Sequence, residues 1–174
     1  QDLENLVAYA YSNIALPANM NWTLGVSYQE YEQGKVSEEQ WNPKLGLRWD
    51  LTDRLQLRGT YYETIKAPLA GNRTIEPTQI AGFNQFFDDA NGTKTEGYGL
   101  GMDWNASGSV KLGVEAWERD FEILVANLRT GEGEYRDRDE SSYSGYVHWT
   151  PSERISVGLE AIYDEYEGNQ DQRF

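Results

Sequence analysis

The chain has 174 residues, enough for one domain, with 39% hydrophobic residues, 13% aromatic residues and a formal net charge of -14. That charge argues against a nucleic-acid-binding protein, because a phosphate backbone is bound by a concentrated basic face. The lack of cysteine excludes a disulfide scaffold and thiolate metal sites. Aromatic residues and glycines in these amounts are typical of strands and turns.

Membrane-spanning helices are not predicted. No stretch reaches the roughly 18 to 20 apolar residues that such a helix requires, whereas a transmembrane strand requires only about 9 to 11 residues and is recognised by its alternation. The first ten residues, QDLENLVAYA, lack the basic segment and the apolar core of a signal peptide. We therefore expect a chain that is mature, excised or not exported.

Apolar and polar residues alternate with a period of two, and no helical period is present. The predicted strands are 3–15, 22–33, 43–51, 54–66, 96–105, 109–120, 140–150 and 154–166. Tight turns (PANMN, TD, ASG, TPSE) alternate with long polar loops at 34–41, at 67–95 and around 129–139. Short turns at one end of an up-and-down meander and long loops at the other are typical of transmembrane β-barrels.

Aromatic residues mark both ends of the apolar face of these strands. Near the short turns the face carries Trp22, Trp49, Trp104 and Trp149, and toward the long loops it carries Tyr28, Tyr61, Tyr98 and Tyr163. Between them lie uncharged residues, such as Val110, Leu112, Val114 and Ala116. We expect the aromatic residues to form two membrane girdles and the residues between them to face lipid.

The opposite face of the predicted strands is charged. Its charged residues, which we expect to line a water-filled lumen, are Arg48, Arg58, Lys111, Glu115, Arg119 and Glu160. Six glycines share this face (46, 97, 99, 101, 113 and 158). They favour a section of a larger barrel, because side chains must fill the interior of a closed eight-stranded barrel. A soluble sandwich or lipocalin-like barrel would place the leucines inside, but it explains neither the turn asymmetry nor the tryptophan positions.

The loop 67–95 is the strongest functional candidate, because it is far longer than a hairpin requires. Its aromatic residues Phe83, Phe86 and Phe87 are candidates for recognition or gating of a solute. The alternative is a loop that only caps the rim of its own barrel.

Catalysis and metal binding are not predicted. His148 is the only histidine, and it shares its strand face with Ser142 and Ser144, but residues along one strand are weak support for a hydrolase. Asp88 and Asp89 resemble a turn more than a calcium loop. The sequence therefore predicts no enzyme, no metal site and no cofactor.

Two segments resemble a known family. Residues 41–69, WNPKLGLRWDLTDRLQLRGTYYETIKAPL, and residues 74–89, TIEPTQIAGFNQFFDD, resemble the barrels of Gram-negative outer-membrane proteins of the TonB-dependent-receptor type, including barrels fused to tetratricopeptide repeats. The resemblance implies an outer-membrane location and transport. No plug domain or energy-coupling box is recognised in these residues, which fits a section of a barrel of about 22 strands.

Together these patterns predict an all-β fold, an antiparallel up-and-down transmembrane barrel of about eight strands, with 1–174 as a single barrel domain or barrel segment. The predicted function is passage or uptake of solutes across the bacterial outer membrane, by a porin or receptor-like transporter. The alternatives are a membrane anchor or scaffold for a periplasmic repeat domain or partner complex, and a soluble ligand-binding β-barrel. The expected partners are outer-membrane lipid and lipopolysaccharide, with a periplasmic partner or missing barrel strands, and no nucleic acid.

Overall fold

The computed structural model describes residues 3–33, 36–67, 76–126 and 133–168. Eight strands form one antiparallel sheet in chain order, and two short strands form a separate hairpin. The sheet strands are β1 (Leu3–Ile14), β2 (Met20–Gln33), β3 (Val36–Thr52), β4 (Leu55–Ile65), β7 (Lys94–Ser107), β8 (Val110–Ala126), β9 (Gly133–Ser152) and β10 (Ile155–Gly168). The hairpin strands are β5 (Gln79–Ile80) and β6 (Phe83–Asn84). None of the described residues forms a helix that could span a membrane.

The sheet is an open meander in which β1 and β10 are the two edges. Neighbouring strands are antiparallel, and each pair keeps one register over most of its length. The prediction of an all-β, up-and-down fold is confirmed, and within the described ranges the sheet is a partial barrel.

Three of the short connections are two-residue turns, at 53–54, 108–109 and 153–154. In the first of them, the hydroxyl oxygen of Thr52 accepts the backbone N–H groups of Arg54 at 3.2 Å and Leu55 at 3.0 Å. The side chain therefore satisfies donors that the end of the ladder leaves free. Each of these turns overlaps its predicted position by one residue.

Two of the three predicted long loops were wrong. β3 begins at Val36, where it pairs with Gln33, and β9 begins at Gly133, so most of the predicted loops 34–41 and 129–139 is strand. Apart from Trp41, most side chains on both faces are polar here, so the alternation that reveals a half-buried strand is weak although the backbone ladder continues. Residues 34–35 and 127–132 lie outside the described residues.

The sheet curves with its polar face inside. Gln85 Nε2 donates to the Tyr11 hydroxyl on β1 at 3.1 Å, while Phe87, two residues later, lies 5.4 Å from Trp117 on β8, measured between ring centroids. In a flat sheet β1 and β8 would be about 24 Å apart at ~4.8 Å per spacing. Two backbone residues span only about 7 Å, so contacts of one short segment with both strands fit a concave polar face.

The apolar face lies outside and is open. Leu100 on β7 and Leu159 on β10 are 73% and 71% exposed. The soluble alternative would place these leucines in a core, whereas the structure leaves them exposed. An uncovered apolar face of this size is expected where lipid is the solvent.

The ladder between β3 and β4 ends where a proline enters β3. The last pair joins Lys44 to Tyr62, and beyond it Pro43 pairs only with Val26 of β2. Proline has no backbone N–H to donate, so it interrupts a ladder. The Lys44 ammonium group instead donates to the backbone carbonyl of Glu63, which would lie opposite Pro43 if the register continued. Beyond the Lys44–Tyr62 pair, β3 and β4 are therefore no longer paired with each other.

Candidate functional site: the lumen face and its inner loop

Residues 76–93, called the inner loop below, lie against the concave polar face of the sheet. The loop carries the β5–β6 hairpin, whose two turn residues, Ala81 and Gly82, have positive φ angles of 51° and 95°. The hairpin is pinned internally, since Gln85 N donates to the Thr78 carbonyl at 3.1 Å. Residues 68–75 of the predicted loop 67–95 lie outside the described residues.

Two glycines of the wall provide the floor for the hairpin. A Cβ atom built at Gly46 would lie 2.6 Å from Ile80 Cγ2, and one built at Gly99 would lie 2.5 Å from Phe83 Cδ1. Such distances are too short for any other residue without a shift. Ile80 and Phe83 are 0% and 3% exposed, so these contacts form a small apolar core between loop and wall.

Arg58 holds the tip of the hairpin. Its guanidinium group donates to Asp103 at 2.6 Å, to Glu115 at 3.0 Å and to the Ala81 carbonyl at 3.3 Å. Its Cζ atom also lies 5.0 Å from the centroid of the Phe83 ring. Two carboxylates compensate this cation, so Arg58 acts mainly as an attachment for the loop.

Arg119 holds the far end of the inner loop and is 4% exposed. It donates to Asp89 of the loop at 2.9 Å and to Glu140 of β9 through Nε at 2.8 Å. Its Cζ atom lies 3.7 Å from the centroid of the Phe87 ring. Charged hydrogen bonds and ring stacking from one buried guanidinium group fix both Asp89 and Phe87 against β8.

A third attachment joins the start of the inner loop to β1 and β3. The Tyr11 hydroxyl donates to Glu76 at 2.5 Å, and the Lys44 Nζ atom lies 3.8 Å from the same carboxylate. The third predicted loop aromatic, Phe86, is half-buried, with its ring centroid 5.9 Å from Lys44 Nζ. All three predicted phenylalanines therefore lie at the boundary between loop and wall.

The six predicted lumen residues fall into two groups. Arg58, Glu115 and Arg119 are ion-paired beneath or beside the inner loop. Arg48, Lys111 and Glu160 are exposed on the same face and form no ion pair with any residue of the described ranges. Only the second group offers open charge to a solute.

Large side chains cover the other predicted lumen glycines. Tyr62 crosses Gly97, Tyr146 crosses Gly113, and the His148 ring lies over Gly158. Each aromatic side chain thus occupies the space that its cross-strand glycine leaves free. His148 lies 5.1 Å from Tyr146 between ring centroids and is exposed on the lumen face.

A cavity of about 140 Å³ remains between the inner loop and the wall. Thr60 and Trp117 flank its floor because both pair with Gly99 across the strands. Phe83 and Phe87 of the loop and Glu115 of β8 also line it. No cluster of three or more His, Asp or Glu residues suited to a metal ion occurs in the part of the chain that the structure describes.

The predicted girdle residues lie on the outer face. The exposed tryptophans Trp104 and Trp149 are 46% and 49% exposed, and Trp22 and Trp49 are half-buried. At the other end, aromatic residues lie in cross-strand pairs: Tyr28 with Trp41 at 5.1 Å, Tyr61 with Tyr98 at 5.6 Å, and Tyr143 with Tyr163 at 6.5 Å. Contact of these rings with lipid remains a prediction.

Several residues of this arrangement were missed in the sequence. Trp41 lies in the predicted loop 34–41, although it shares the parity of Leu45 on the same strand. Tyr11, Lys44 and Glu76 meet only through the curvature of the sheet and the path of the inner loop. No local pattern signals a contact between residues 65 positions apart, whereas the parity of Trp41 was a usable signal.

Comparison with known proteins identifies the family. A model of the TonB dependent receptor-like β-barrel matches residues 2–161. No curated protein sequence matches the chain. Among solved structures, the chain is similar to the FrpB iron transporter of Neisseria meningitidis (F3-3 variant), with a TM-score of 0.70 and 14% identity, covering 94% of this chain and 26% of that one.

A second similar structure is the alcaligin outer-membrane receptor FauA of Bordetella pertussis. Its TM-score is 0.66 at 11% identity, with 96% of this chain and 31% of that chain covered. The chain thus spans between a quarter and a third of the length of these two structures. At such identities the structural likeness supports the fold, and the family model supports membership. The chain belongs to the TonB dependent receptor-like β-barrel family of the bacterial outer membrane.

Proposed function

We propose that the chain forms part of the wall of an outer-membrane barrel that takes up solutes, and that its inner loop contacts the solute inside the lumen. The position of the inner loop carries this proposal. It lies on the concave face, attached to β1, β4 and β8, where a solute in the barrel must pass. A loop that only capped the rim would not need these attachments.

The charges of the wall support a role in solute selection. Arg48 and Lys111 offer open cations, and Glu160 offers an open anion, along the concave face. Rings of charged side chains determine which solutes enter a pore. The two similar structures are an iron transporter and a receptor for alcaligin, so we propose iron complexes as the first solutes to test.

The outer face supports the proposed contact with membrane lipid. Val114 and Val157 are 53% and 48% exposed on that face, with no charged side chain beside them in the central rows of the sheet. Burial of such residues in hydrocarbon removes apolar surface from water. We propose outer-membrane lipid as the partner of this face.

Reconstitution tests the proposed function directly. The full-length protein in liposomes is exposed to a ferric complex labelled with radioactive iron, and entry is compared with protein-free liposomes. Passage that changes when Arg48 is replaced by Glu, with folding preserved, would support uptake through this lumen. Folded protein that passes no solute, or passage that is unchanged when Arg48 is replaced by Glu, would contradict the proposed uptake. Either result would favour the anchor or scaffold alternative.

A further inference from the structure

The cavity between the inner loop and the wall is large enough for a small molecule. Its volume of about 140 Å³ is close to the ~150 Å³ of an engineered protein cavity that binds one benzene molecule. Around it, Thr60, Phe87, Glu115 and Trp117 are only half-buried, and Asn84 is exposed. The cavity is therefore reachable from the lumen by a molecule about the size of one ring.

Aromatic rings form much of the cavity lining. Phe83 and Phe87 come from the inner loop, and Trp117 comes from β8. Two of these rings already contact cations of the protein. The Arg58 Cζ atom lies 5.0 Å from the centroid of Phe83, and the Arg119 Cζ atom lies 3.7 Å from the centroid of Phe87. Because the face of an aromatic ring attracts a cation, such a lining suits a positively charged organic group.

The charge at the cavity is negative. Among the described residues that line it, Glu115 alone is charged. Its Oε2 atom accepts a hydrogen bond from Arg58 at 3.0 Å, and Asp103 accepts a second bond from the same guanidinium group at 2.6 Å. Two carboxylates therefore share one cation, and one negative charge remains in excess.

Arg119, which stacks on the cavity residue Phe87, has the same surplus of carboxylates. It donates to Asp89 and to Glu140. Neither guanidinium group therefore makes the surroundings of the cavity positive. The surplus carboxylates attract a cationic ligand and repel an anionic one.

We propose that this cavity binds a small organic ammonium ion, held by Glu115 and by the rings of Phe83, Phe87 and Trp117. The surplus carboxylate attracts the charge of the ligand, and the rings contact its apolar groups and its cationic centre. A neutral molecule of the same shape gains only the apolar contacts. The site goes beyond the proposed uptake function, because binding does not depend on whether the ligand crosses the membrane.

Choline is the probe that tests this site. Its control is the neutral alcohol of the same shape, in which a carbon atom replaces the choline nitrogen. Calorimetric titration of the full-length protein in detergent, at constant ionic strength, measures both dissociation constants. We expect choline to bind at least about tenfold more tightly than the alcohol, as a desolvated cation–π contact implies. Equal affinities for choline and the alcohol would overturn the proposed ammonium site.

Two variants locate the binding. Glu115→Gln removes the charge but keeps an oxygen that can accept the Arg58 bond, and Trp117→Leu removes a ring but keeps an apolar side chain. The matched control is Glu118→Gln, because Glu118 lies on the same strand but is exposed and pairs with Tyr98 of the outer face. A heat-modifiable gel shift checks that each variant folds.

We expect Glu115→Gln and Trp117→Leu each to weaken choline binding by about tenfold, and Glu118→Gln to keep the parent affinity. Absence of choline binding to the folded parent, parent affinity in either folded cavity variant, or an equal loss in Glu118→Gln would overturn the site. These titrations involve no transport. A negative result would therefore leave the proposed uptake function to be judged by the reconstitution experiment.

Discussion

Phe83 of the inner loop rests on Gly99 of β7, because a Cβ atom at Gly99 would lie 2.5 Å from Phe83 Cδ1. Because Gly99 has no side chain, the Phe83 ring can pack directly against the backbone of the wall. The same relationship joins Ile80 to Gly46 on the other side of the hairpin. Gly46 and Gly99 therefore leave the space that the side chains of Ile80 and Phe83 occupy.

Replacing Gly99 by Ala should displace Phe83 and destabilise the protein. Overpacking of this kind costs about 1–3 kcal/mol of unfolding free energy. The matched control is Gly108→Ala, because a Cβ there meets nothing within 4 Å. Urea unfolding in detergent measures both variants. Similar unfolding free energies for Gly99→Ala and Gly108→Ala would contradict the packing of Phe83 on Gly99.

Replacing Asp89 by Asn should weaken the anchor at Arg119, with a loss of about 1.5–3 kcal/mol, as expected for a hydrogen bond to a charged group. The neighbouring variant Asp88→Asn removes the same charge from an exposed side chain that bonds to no residue of the described ranges. Limited proteolysis should therefore cleave the inner loop faster in Asp89→Asn than in Asp88→Asn. Equal cleavage rates would show that Asp89 does not hold the loop.

Introducing Arg at Leu100 should impair membrane insertion, because a cation near the bilayer midplane costs about 2–4 kcal/mol. Leu16 is a suitable control, since it lies in the turn before β2 and is 70% exposed, close to the 73% of Leu100. Leu16→Arg should cost only about 0–1 kcal/mol, as found near the interfaces. The yield of folded protein in vesicles, measured by the heat-modifiable gel shift, compares Leu100→Arg with Leu16→Arg. Equal yields would argue against lipid on the outer face.

Replacing Arg48 by Glu should shift ion selectivity toward cations, because Arg48 is an exposed lumen cation without an ion-pair partner in the described ranges. The same change at Arg54, in the turn at 53–54, should have a smaller effect because that residue lies outside the wall. Reversal potentials in planar bilayers measure the shift, which should decrease at high salt through screening. A larger shift from Arg54→Glu would contradict the assignment.

The sequence predicted the sheet well and the inner loop only in part. The alternation of Leu45, Leu47 and Trp49 with charged residues fixed the strand faces, because only one face of such a strand can be apolar in a membrane barrel. The strand ends before Pro43 and before Glu140 were predicted as loops, since alternation is weak where most side chains on both faces are polar.

The attachments of the inner loop could not be predicted from local patterns. Arg58 and Arg119 were expected to face an open lumen, but the inner loop contacts both of them. Arg58 donates to Ala81, 23 positions away in the sequence, and Arg119 donates to Asp89, 30 positions away. Such contacts depend on the curvature of the whole sheet. The sequence did identify the three phenylalanines of the loop, because apolar residues in a long polar loop require something to pack against.

We propose that neighbouring residues of one strand face lipid and lumen water in turn. Spin labels on single cysteines at Leu47 and Arg48 of β3, in the protein reconstituted in lipid, measure this alternation. We predict that the label at position 47 is relaxed mainly by oxygen, which concentrates in hydrocarbon, and that the label at position 48 is relaxed mainly by a water-soluble nickel complex. Equal accessibility of both labels to the nickel complex would contradict the membrane assignment of this sheet.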